Sequence, residues 1–311
     1  MRRLFRHPEA VTLALLAIAF AAGALQSPYF LDATYLLDAS TLHVETGLLA
    51  LGMTFVIVGG QIDLSVASNM ALSACLVAIA LEAGLPMPLA ILLGPAAGAA
   101  LGAINGLVVV WARLPSFVVT LGTMALYRGV AQILLGPSSV ALPKEFAGFD
   151  RLGVGPVPTS LIALLAIAAA LGLLLHRGVF GRRVFAIGAN EEAALYSGIP
   201  VARAKVAVFA LCGMLCGLAA LHLDSRLGVS RFDLARGAEL DAITAVVLGG
   251  ASIYGGRGSI LGTVLALFLL AVLKTGMGLA NVKAEYQLAA IGALLILAVL
   301  SSNALLSRRP A

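Results

Sequence analysis

Long apolar stretches alternate with short polar ones along almost the whole chain. A helix that spans a membrane needs about 20 predominantly apolar residues, and most of these stretches approach that length. The pattern predicts ten spans, at residues 9–26, 42–59, 64–81, 86–111, 116–135, 159–175, 206–223, 240–250, 260–279 and 286–305. The predicted fold class is therefore all-α, a polytopic membrane protein with about ten transmembrane helices.

The composition supports a membrane protein and excludes several other classes. Of the 311 residues, 61% are hydrophobic and 11% are charged, whereas about 25% are charged in an average soluble domain. A soluble fold of this length cannot hide that much apolar surface from water. The composition therefore excludes a soluble enzyme, a disordered chain and a disulfide-stapled secreted domain. It also argues against an outer-membrane barrel, whose strands would alternate with polar residues.

The distribution of Lys and Arg predicts the orientation in the membrane. Cytoplasmic loops of membrane proteins carry an excess of these residues. With ten spans, both termini share a side with the turn near Arg113, the polar loop 176–205 and the turn at Arg257. That side holds 12 of the 20 Lys and Arg residues. We therefore expect both termini in the cytoplasm, residues 1–311 to form a single transmembrane domain, and residues 176–205 to form a cytoplasmic loop.

Small residues within the fourth span predict close helix packing. Glycines recur there at every fourth position, a spacing that lets two helix backbones approach each other closely. They are Gly94, Gly98, Gly102 and Gly106.

Two charged residues within or beside the predicted spans are candidate functional residues. Asp63 lies in the sequence GGQIDLSVAS, between the second and third spans. Two interpretations remain open for it. Asp63 either caps the N-terminus of the third span after a turn at Gly59 and Gly60, or it faces a pathway lined by broken backbone. Arg128 lies well inside the fifth span, and we expect it to face a water-filled cavity or a partner, unless it lies at the membrane interface.

The polar loop 176–205 contains a short helix with clear signals at both ends. Asn190 is a favourable N-cap, and two glutamates follow it in the first turn, where the helix dipole stabilises negative charge. Gly198 suits a left-handed stop, and Pro200 prevents continuation. The pattern predicts a helix over residues 191–197. A helix this short is not stable alone, so we expect packing or a partner to hold it.

The sequence offers no case for catalysis. Its four histidines are scattered, and it contains no zinc-protease motif, no hydrolase nucleophile motif and no pair of carboxylates in a catalytic arrangement. The three cysteines lie in apolar stretches and are interpreted as buried packing residues rather than metal ligands.

The sequence also lacks a phosphate-binding loop for ATP. Energy for any transport must therefore come from an ion gradient or from a separate subunit. Carboxylates suited to an ion relay are nearly absent from the spans, which favours the separate subunit. No basic run with interleaved aromatic residues occurs, so nucleic acid is not an expected partner.

Four stretches carry a further signal, because they occur in order and together cover nearly the whole chain. They are GMTFVIVGGQIDLSVAS (52–68), NGLVVVWARLPSFVVTLGTMALYRG (105–129), GRRVFAIGANEEAALYSGI (181–199) and GAELDAITAVVLGGASIYGGRGSILGT (237–263). They resemble the membrane permease subunits of bacterial monosaccharide ABC importers. The resemblance is to the ribose-type branch, which includes ribose, xylose, galactose, rhamnose and autoinducer-2 systems. The chain departs from the family pattern at Gln61 and Ala67. These departures affect substrate preference or packing, not the family assignment.

The resemblance implies a permease subunit that translocates a monosaccharide or a related small polyol across the bacterial inner membrane. It implies three partners besides the lipid bilayer: a cytoplasmic ABC ATPase, a periplasmic sugar-binding protein and a second permease subunit, identical or different. ATP hydrolysis is expected in the ATPase, and no cofactor is expected. The alternative is a secondary transporter of a small polar solute that an ion gradient drives.

Two sets of residues are expected to carry this function. The resemblance makes the short helix of loop 176–205 the coupling helix that contacts the ATPase. Its residues are Asn190, Glu191, Glu192, Ala193, Ala194, Leu195, Tyr196, Ser197 and Gly198. A neutral sugar needs hydrogen bonds and no counter-ion, so we expect small and polar residues along the pathway. The candidates are Asp63, Asn69, Asn105, Thr120, Thr123 and Arg128.

Overall fold

The computed structural model describes residues 8–26, 28–146, 148, 153–154 and 157–307. These residues are mostly helical, as predicted. The helices are α1 (Pro8–Gln26), α2 (Ala33–Thr41), α3 (Val44–Val58), α4 (Val66–Glu82), α5 (Met87–Ala112), α6 (Ser116–Leu135), α7 (Thr159–His176), α8 (Val179–Ala189), α9 (Glu191–Tyr196), α10 (Val201–Leu227), α11 (Ala238–Leu248), α12 (Ile260–Leu279) and α13 (Ala284–Ser307).

A few short elements complete the described part of the fold. A 3-10 turn spans Pro28–Leu31. The strands are β1 (Val140–Ala141), β2 (Gly153–Val154), β3 (Val157–Pro158) and β4 (Val229–Ser230). β1 pairs antiparallel with β4, and β2 pairs antiparallel with β3.

Each of the ten predicted stretches coincides with a helix, and α6 and α12 have the predicted bounds. Among the described residues, five helices are long and apolar enough to cross a membrane: α5, α6, α7, α10 and α12. The number rises to six if α2 and α3, which meet at a bend of 57°, form one span. The described residues thus form a helical, multi-pass membrane fold with five or six helices of full spanning length, and the count of about ten spans stays a prediction.

The helix α10 is longer than the seventh predicted span. It begins at Val201 rather than at residue 206, because Pro200 occupies its N-cap, where a missing N–H and a fixed φ are tolerated. It continues to Leu227. The polar residues that begin at Asp224 were predicted to be outside the span, and the first of them lie in its last turn.

Two helices lie where the sequence predicted polar connections. The connection between the first two predicted spans contains α2. Asp32 caps this helix, because its carboxylate accepts hydrogen bonds from the N–H groups of Thr34 and Tyr35. The helix α8 occupies the first part of loop 176–205 and buries Gly181, Val184 and Ile187 along one face.

The helix α3 lies at the centre of the fold. Of its 15 residues, 14 are buried, and it packs against α7, α8, α10, α11 and α12. A helix that is apolar all round is expected at such a position. The hydroxyl groups of Thr54 and Thr263 lie 2.9 Å apart and join α3 to α12. The three cysteines are also buried, as predicted.

Glycine sets the distance between α5 and α10. A Cβ atom at Gly98 would overlap the carbonyl oxygen of Gly213, and one at Gly102 would overlap the carbonyl oxygen of Phe209. The two backbones are therefore in direct contact. The predicted role of the glycine repeat in helix packing is confirmed, and its partner is a helix of the same chain.

This contact predicts the effect of one added methyl group. We expect Gly98→Ala to lower the free energy of unfolding by about 1–3 kcal/mol, because the backbones must separate. Gly122→Ala is the matched control on α6, because a Cβ there meets no atom within 4 Å. It should be neutral or stabilising by up to about 1 kcal/mol. Thermal unfolding of the purified chain in detergent measures both, and equal stability of the two variants would contradict the prediction.

Candidate functional site

The chain leaves α3 through a left-handed glycine and is not helical again until Val66. Gly60 has a φ of 72°. Its N–H donates to the carbonyl of Ile57, and the N–H of Gln61 donates to the carbonyl of Val56. These bonds close the end of α3 in the way that left-handed glycine caps do. Residues 61–65, which follow, separate α3 from α4, and we call them the broken segment. Their backbone groups must find partners within the protein.

The first turns of α6 supply those partners. The N–H of Ile62 donates to the hydroxyl oxygen of Ser116 at 3.0 Å, and the N–H of Leu64 donates to that of Thr120 at 3.1 Å. The Thr120 hydroxyl in turn donates to the carbonyl of Ile62 at 3.2 Å. Side chains of α6 therefore replace the backbone partners that a continuous helix would have provided.

A second group of polar side chains joins this segment to α5. The Asp63 carboxylate accepts hydrogen bonds from the N–H of Ser65 at 2.8 Å and from its hydroxyl at 2.6 Å. The side-chain amide of Asn105 donates to the Ser65 hydroxyl oxygen at 2.8 Å. The Tyr127 hydroxyl lies 3.0 Å from the Asn105 amide oxygen and 2.9 Å from the carbonyl oxygen of Leu101. The network thus connects α4, α5 and α6.

Asp63 has a folding role in this arrangement. It is 1% exposed, and its carboxylate holds the turn that leads into α4. The N-cap position of α4 is Ser65 rather than Asp63, whose place is two residues earlier. The sequence left two interpretations of Asp63 open. The structure shows a contact that resembles capping, but Asp63 lies two residues before the N-cap and binds the N-cap residue Ser65 itself. A role of Asp63 in the pathway stays a prediction.

Two further pathway candidates lie elsewhere on α4 and α6. The side-chain amide of Asn69 donates to the carbonyl of Gly98 at 3.1 Å, and its oxygen accepts from the Ser73 hydroxyl at 3.2 Å. Asn69 is buried. Thr123 is half-buried, and its hydroxyl donates to the carbonyl of Thr120 at 3.3 Å. The structure therefore unites Asp63, Asn105 and Thr120 around the break, with Asn69 and Thr123 on its flanks.

Arg128 is half-buried on the same helix as Thr123. Its Nη1 atom donates to the carbonyl oxygens of Phe232 and Leu234, each at 2.7 Å. Both carbonyls belong to the segment between α10 and α11 of the same chain. The predicted cavity or partner around this cation stays a prediction.

A cavity of about 580 Å³ lies between α1, α2, α7 and α12. Its lining is almost wholly apolar, with side chains such as Leu16, Phe20 and Leu37, and it includes none of the six pathway candidates. Its chemistry does not suit a polar solute, which needs convergent hydrogen-bonding groups.

The short helix predicted in loop 176–205 is present as α9. The Asn190 side-chain oxygen accepts the N–H of Ala193 at 2.9 Å, which is the predicted N-cap contact. Gly198 has a φ of 80°, and the N–H of Ile199 donates to the carbonyl of Ala194 at 3.1 Å. Asn190 and Gly198 therefore cap the two ends of α9, as predicted.

The side chains of α9 divide into an inner and an outer set. Ala194 is buried, in a cluster with Ile187, Val201 and Ala204. The remaining residues of α9 are exposed: Glu191, Glu192, Ala193, Leu195 and Tyr196, as are Ser197 and Gly198 beyond it. Glu191 pairs with Lys205 of the same chain at 2.7 Å. Ala194 therefore fixes α9 to its own chain, and Leu195 and Tyr196 form the apolar surface that faces outward.

A chain of close contacts leads from α9 to the broken segment. Gly188, near the end of α8, lies so close to α3 that a Cβ atom there would overlap the carbonyl oxygen of Val58. The N–H of Gly256 donates to that same oxygen at 2.8 Å. A Cβ atom at Gly255 would lie 2.8 Å from the Cα atom of Gly60. The end of α3, the end of α8 and the loop before α12 thus meet at glycines.

Three residues of this site were not predicted from the sequence. Ser65, Ser116 and Tyr127 hold the broken segment and its neighbours, and none of them was a candidate. Ser65 and Ser116 stand within the stretches that resemble the permeases, beside Asp63 and Thr120. Apart from Asp63, which precedes Ser65 by two residues, their partners are distant in sequence. Only the position of each serine beside a predicted break could therefore have indicated its role.

Comparison with known proteins supports one family. Residues 35–299 match the family described as "Branched-chain amino acid transport system / permease component". The chain belongs to this permease family. It is 39% identical to the autoinducer 2 import system permease protein LsrD of Escherichia coli strain K12, over 97% of this chain and 93% of that protein. The same protein of Shigella flexneri gives the same values, and that of Escherichia coli O157:H7 is 38% identical. No solved structure matches.

The comparison confirms the resemblance to the ribose-type branch of ABC importers. The permease is thus a multi-pass membrane subunit of a transport system, and such subunits are not themselves enzymes. The family does not support the alternative of a secondary transporter driven by an ion gradient.

The hydrogen-bond network predicts the cost of losing Asn105. We expect Asn105→Ala to lower the free energy of unfolding of the permease by about 1–3 kcal/mol, because it leaves the buried hydroxyl of Ser65 without its donor. Gln132→Ala is the control, because Gln132 is exposed on α6. Unfolding in detergent, followed by circular dichroism, compares the two. A stability loss no larger for Asn105→Ala than for Gln132→Ala would show that the network does not hold the break.

Proposed function

We propose that the permease translocates a monosaccharide or a related small polyol across the bacterial inner membrane. A periplasmic binding protein delivers the solute, a second permease subunit completes the pathway, and a separate cytoplasmic ATPase supplies energy. Residues 1–311 act as a single transmembrane permease domain. Autoinducer 2 belongs among the candidate solutes, because the named relatives import it.

The observation that carries this proposal is the physical connection between α9 and the broken segment. Motion of an ATPase reaches a pathway only through contiguous elements. The helix α9 is fixed to α8 and α10 through Ala194. The helix α8 in turn touches the end of α3 through Gly188, where the broken segment begins. No flexible side chain separates the backbones at this junction, so a displacement of α9 is passed on rather than absorbed.

The outward surface of α9 fits a coupling contact. Leu195 is 60% exposed and Tyr196 is 89% exposed, and a large amphipathic aromatic side chain is a frequent anchor in protein interfaces. Glu191 already pairs with Lys205, and rim charges of this kind add little affinity. We therefore assign the main ATPase contact to Leu195 and Tyr196, and the inner anchoring of the helix to Ala194.

The pathway candidates divide by exposure. Thr123 is half-buried on α6 and is our candidate for direct contact with the solute, and Arg128 on the same helix is our candidate gate residue. A neutral polyol requires hydrogen-bond donors and acceptors, which the Thr123 hydroxyl supplies. The buried candidates hold the broken backbone behind this face. They are Asp63, Asn69, Asn105 and Thr120.

Ten spans with cytoplasmic termini complete the proposal and are testable with topology reporters. We expect a fluorescent protein fused after Arg309 to be fluorescent and alkaline phosphatase fused there to be inactive, because Lys and Arg accumulate on the proposed cytoplasmic side. Alkaline phosphatase inserted at Lys144 should be active. An active phosphatase after Arg309 would require an odd number of spans or the opposite orientation.

Coupling through α9 is testable in the reconstituted complex of permease, ATPase and binding protein. We expect Tyr196→Ala to reduce solute-stimulated ATP hydrolysis about tenfold, since loss of an interface anchor costs about 1–2 kcal/mol or more. Leu195→Glu should also weaken capture of the ATPase by the permease. Tyr286→Ala is the matched control, because this tyrosine is exposed at the start of α13, on the side that the topology assigns to the periplasm.

The same assay can overturn the proposal. If Tyr196→Ala and Leu195→Glu both assemble and hydrolyse ATP as the unchanged complex does, α9 is not the coupling element. A solute panel of pentoses, deoxyhexoses and autoinducer 2 identifies the substrate class by stimulation of hydrolysis. No response to any of these would contradict the assignment to small polyols.

A further inference from the structure

The segment between α10 and α11, residues 229–237, lies across α6, and we call it the strap. Its first two residues form β4, which pairs with β1 through Val140 and Ser230. The N–H of Leu142 also donates to the carbonyl of Gly228, just before the strap. Because β1 follows α6 in the chain, these bonds fasten one end of the strap to the segment that leaves α6.

The middle of the strap is fastened to α6 itself by Arg128. A single guanidinium nitrogen donates to two strap carbonyls, those of Phe232 and Leu234, at 2.7 Å each. Hydrogen bonds from a charged donor are roughly twice as strong as neutral ones. The Phe232 ring packs beside this contact on a cluster formed by α4 and α6, whose buried residues are Leu72, Cys75, Tyr127 and Ala131.

The other contacts of the strap are weaker. Arg231 and Asp233 form an ion pair at 2.9 Å on an exposed part of the strap, and Arg231 holds the pKa of the Asp233 carboxyl below its usual value. Such exposed pairs contribute little stability. Ala235 has a φ of 58°, which is unfavourable for a residue with a Cβ atom. The strap therefore depends on Arg128 and on Phe232 for its position, rather than on regular structure of its own.

The strap covers polar groups that water would stabilise. Ser230 lies against both the Asp224 carboxyl of α10 and the Cys75 thiol of α4. Asp224 and Ser230 are each 0% exposed, and neither side chain makes a hydrogen bond of good geometry within the described residues. Burial of such groups is costly, and hydration would relieve the cost. The buried polar groups therefore destabilise the closed position of the strap, and the Arg128 hydrogen bonds stabilise it.

We propose that the strap is a movable cover on the α6 face of the permease, and that Arg128 is the positioning residue that holds it closed. Opening requires that the guanidinium release the carbonyls of Phe232 and Leu234, after which water reaches Asp224 and Cys75. The purpose of the cover is to control access to the pathway, and only this purpose rests on the transport function proposed above. The closed contact itself is a property of the isolated chain.

Cys75 provides a native reporter of the cover. In a Cys212→Ala, Cys216→Ala background it is the sole thiol of the chain. We expect Arg128→Gln to raise its alkylation rate by a small water-soluble maleimide about tenfold, in permease purified in lipid nanodiscs and followed by mass spectrometry. Tenfold corresponds to about 1.4 kcal/mol. Arg128→Lys should fall between, because an ammonium donates to the carbonyls without the fixed planar geometry of arginine.

Two controls separate opening of the strap from general loosening of the fold. Arg236→Gln removes a guanidinium that lies 5.8 Å from the Phe232 ring and that donates to no strap carbonyl within the described part of the chain, so the Cys75 rate should change less than about twofold. In a second background, Cys75→Ala and Cys216→Ala, the sole thiol is Cys212, buried in the core of α10. Its alkylation rate should be the same with and without Arg128→Gln.

The outcomes distinguish the cover from the transport function. An unchanged Cys75 rate in Arg128→Gln, or an equal rise at Cys212, would overturn the cover. If the Cys75 rate rises alone, the cover stands whatever the complete transporter does. In the reconstituted complex, Arg128→Gln should then raise ATP hydrolysis in the absence of solute. A rise at Cys75 without that change would show that the cover opens but does not control the pathway.

Discussion

The backbone of a membrane protein must satisfy its own polar groups, and the segment between α3 and α4 is where this constraint is strongest. The helix α3 ends there at Val58, the left-handed Gly60 follows it, and α4 begins at Val66, inside a bundle of apolar helices. Ser116 and Thr120 supply the missing hydrogen-bond partners from α6. The position of α6 is therefore tied to the geometry of the break, and the two cannot move far apart without exposing unpaired groups to an apolar surrounding.

Close backbone contacts extend this constraint through the rest of the bundle. Gly98 lets α5 touch α10, and Gly188 lets α8 touch the end of α3. At such contacts there is no side chain that can change rotamer to take up a displacement. Elements joined in this way move together or separate, which is the behaviour required of parts that adopt two discrete arrangements.

Local signals in the sequence predicted local structure well. The apolar stretches coincide with helices, and Asn190 and Gly198 mark the ends of α9 because caps depend on residues within one turn. The prediction missed α2, whose polar residues suggested a connection although Asp32 caps a helix there. It also placed the start of α10 too late, since Pro200 was taken only as a stop for the preceding helix.

Tertiary contacts were beyond the reach of sequence patterns. Ser116 supports a segment that lies more than 50 residues earlier, and nothing near it in the chain indicates this role. The inward direction of Ala194 depends on Ile187 and Val201, which approach only when α8 and α10 fold back on α9. Arg128 lies within the predicted helix α6, but its carbonyl partners belong to a segment about 100 residues later.

The length of α10 gives the molecule a mechanical property. Its 27 residues form a continuous helix, which spans roughly 40 Å at about 1.5 Å per residue. One end lies just beyond α9, and the other leads directly into residues 229–237. Between residues 206 and 217 this helix lies in backbone contact with α5. A tilt of α10 therefore carries α5 with it, so a force applied beside α9 displaces both helices as one stiff pair rather than bending either of them.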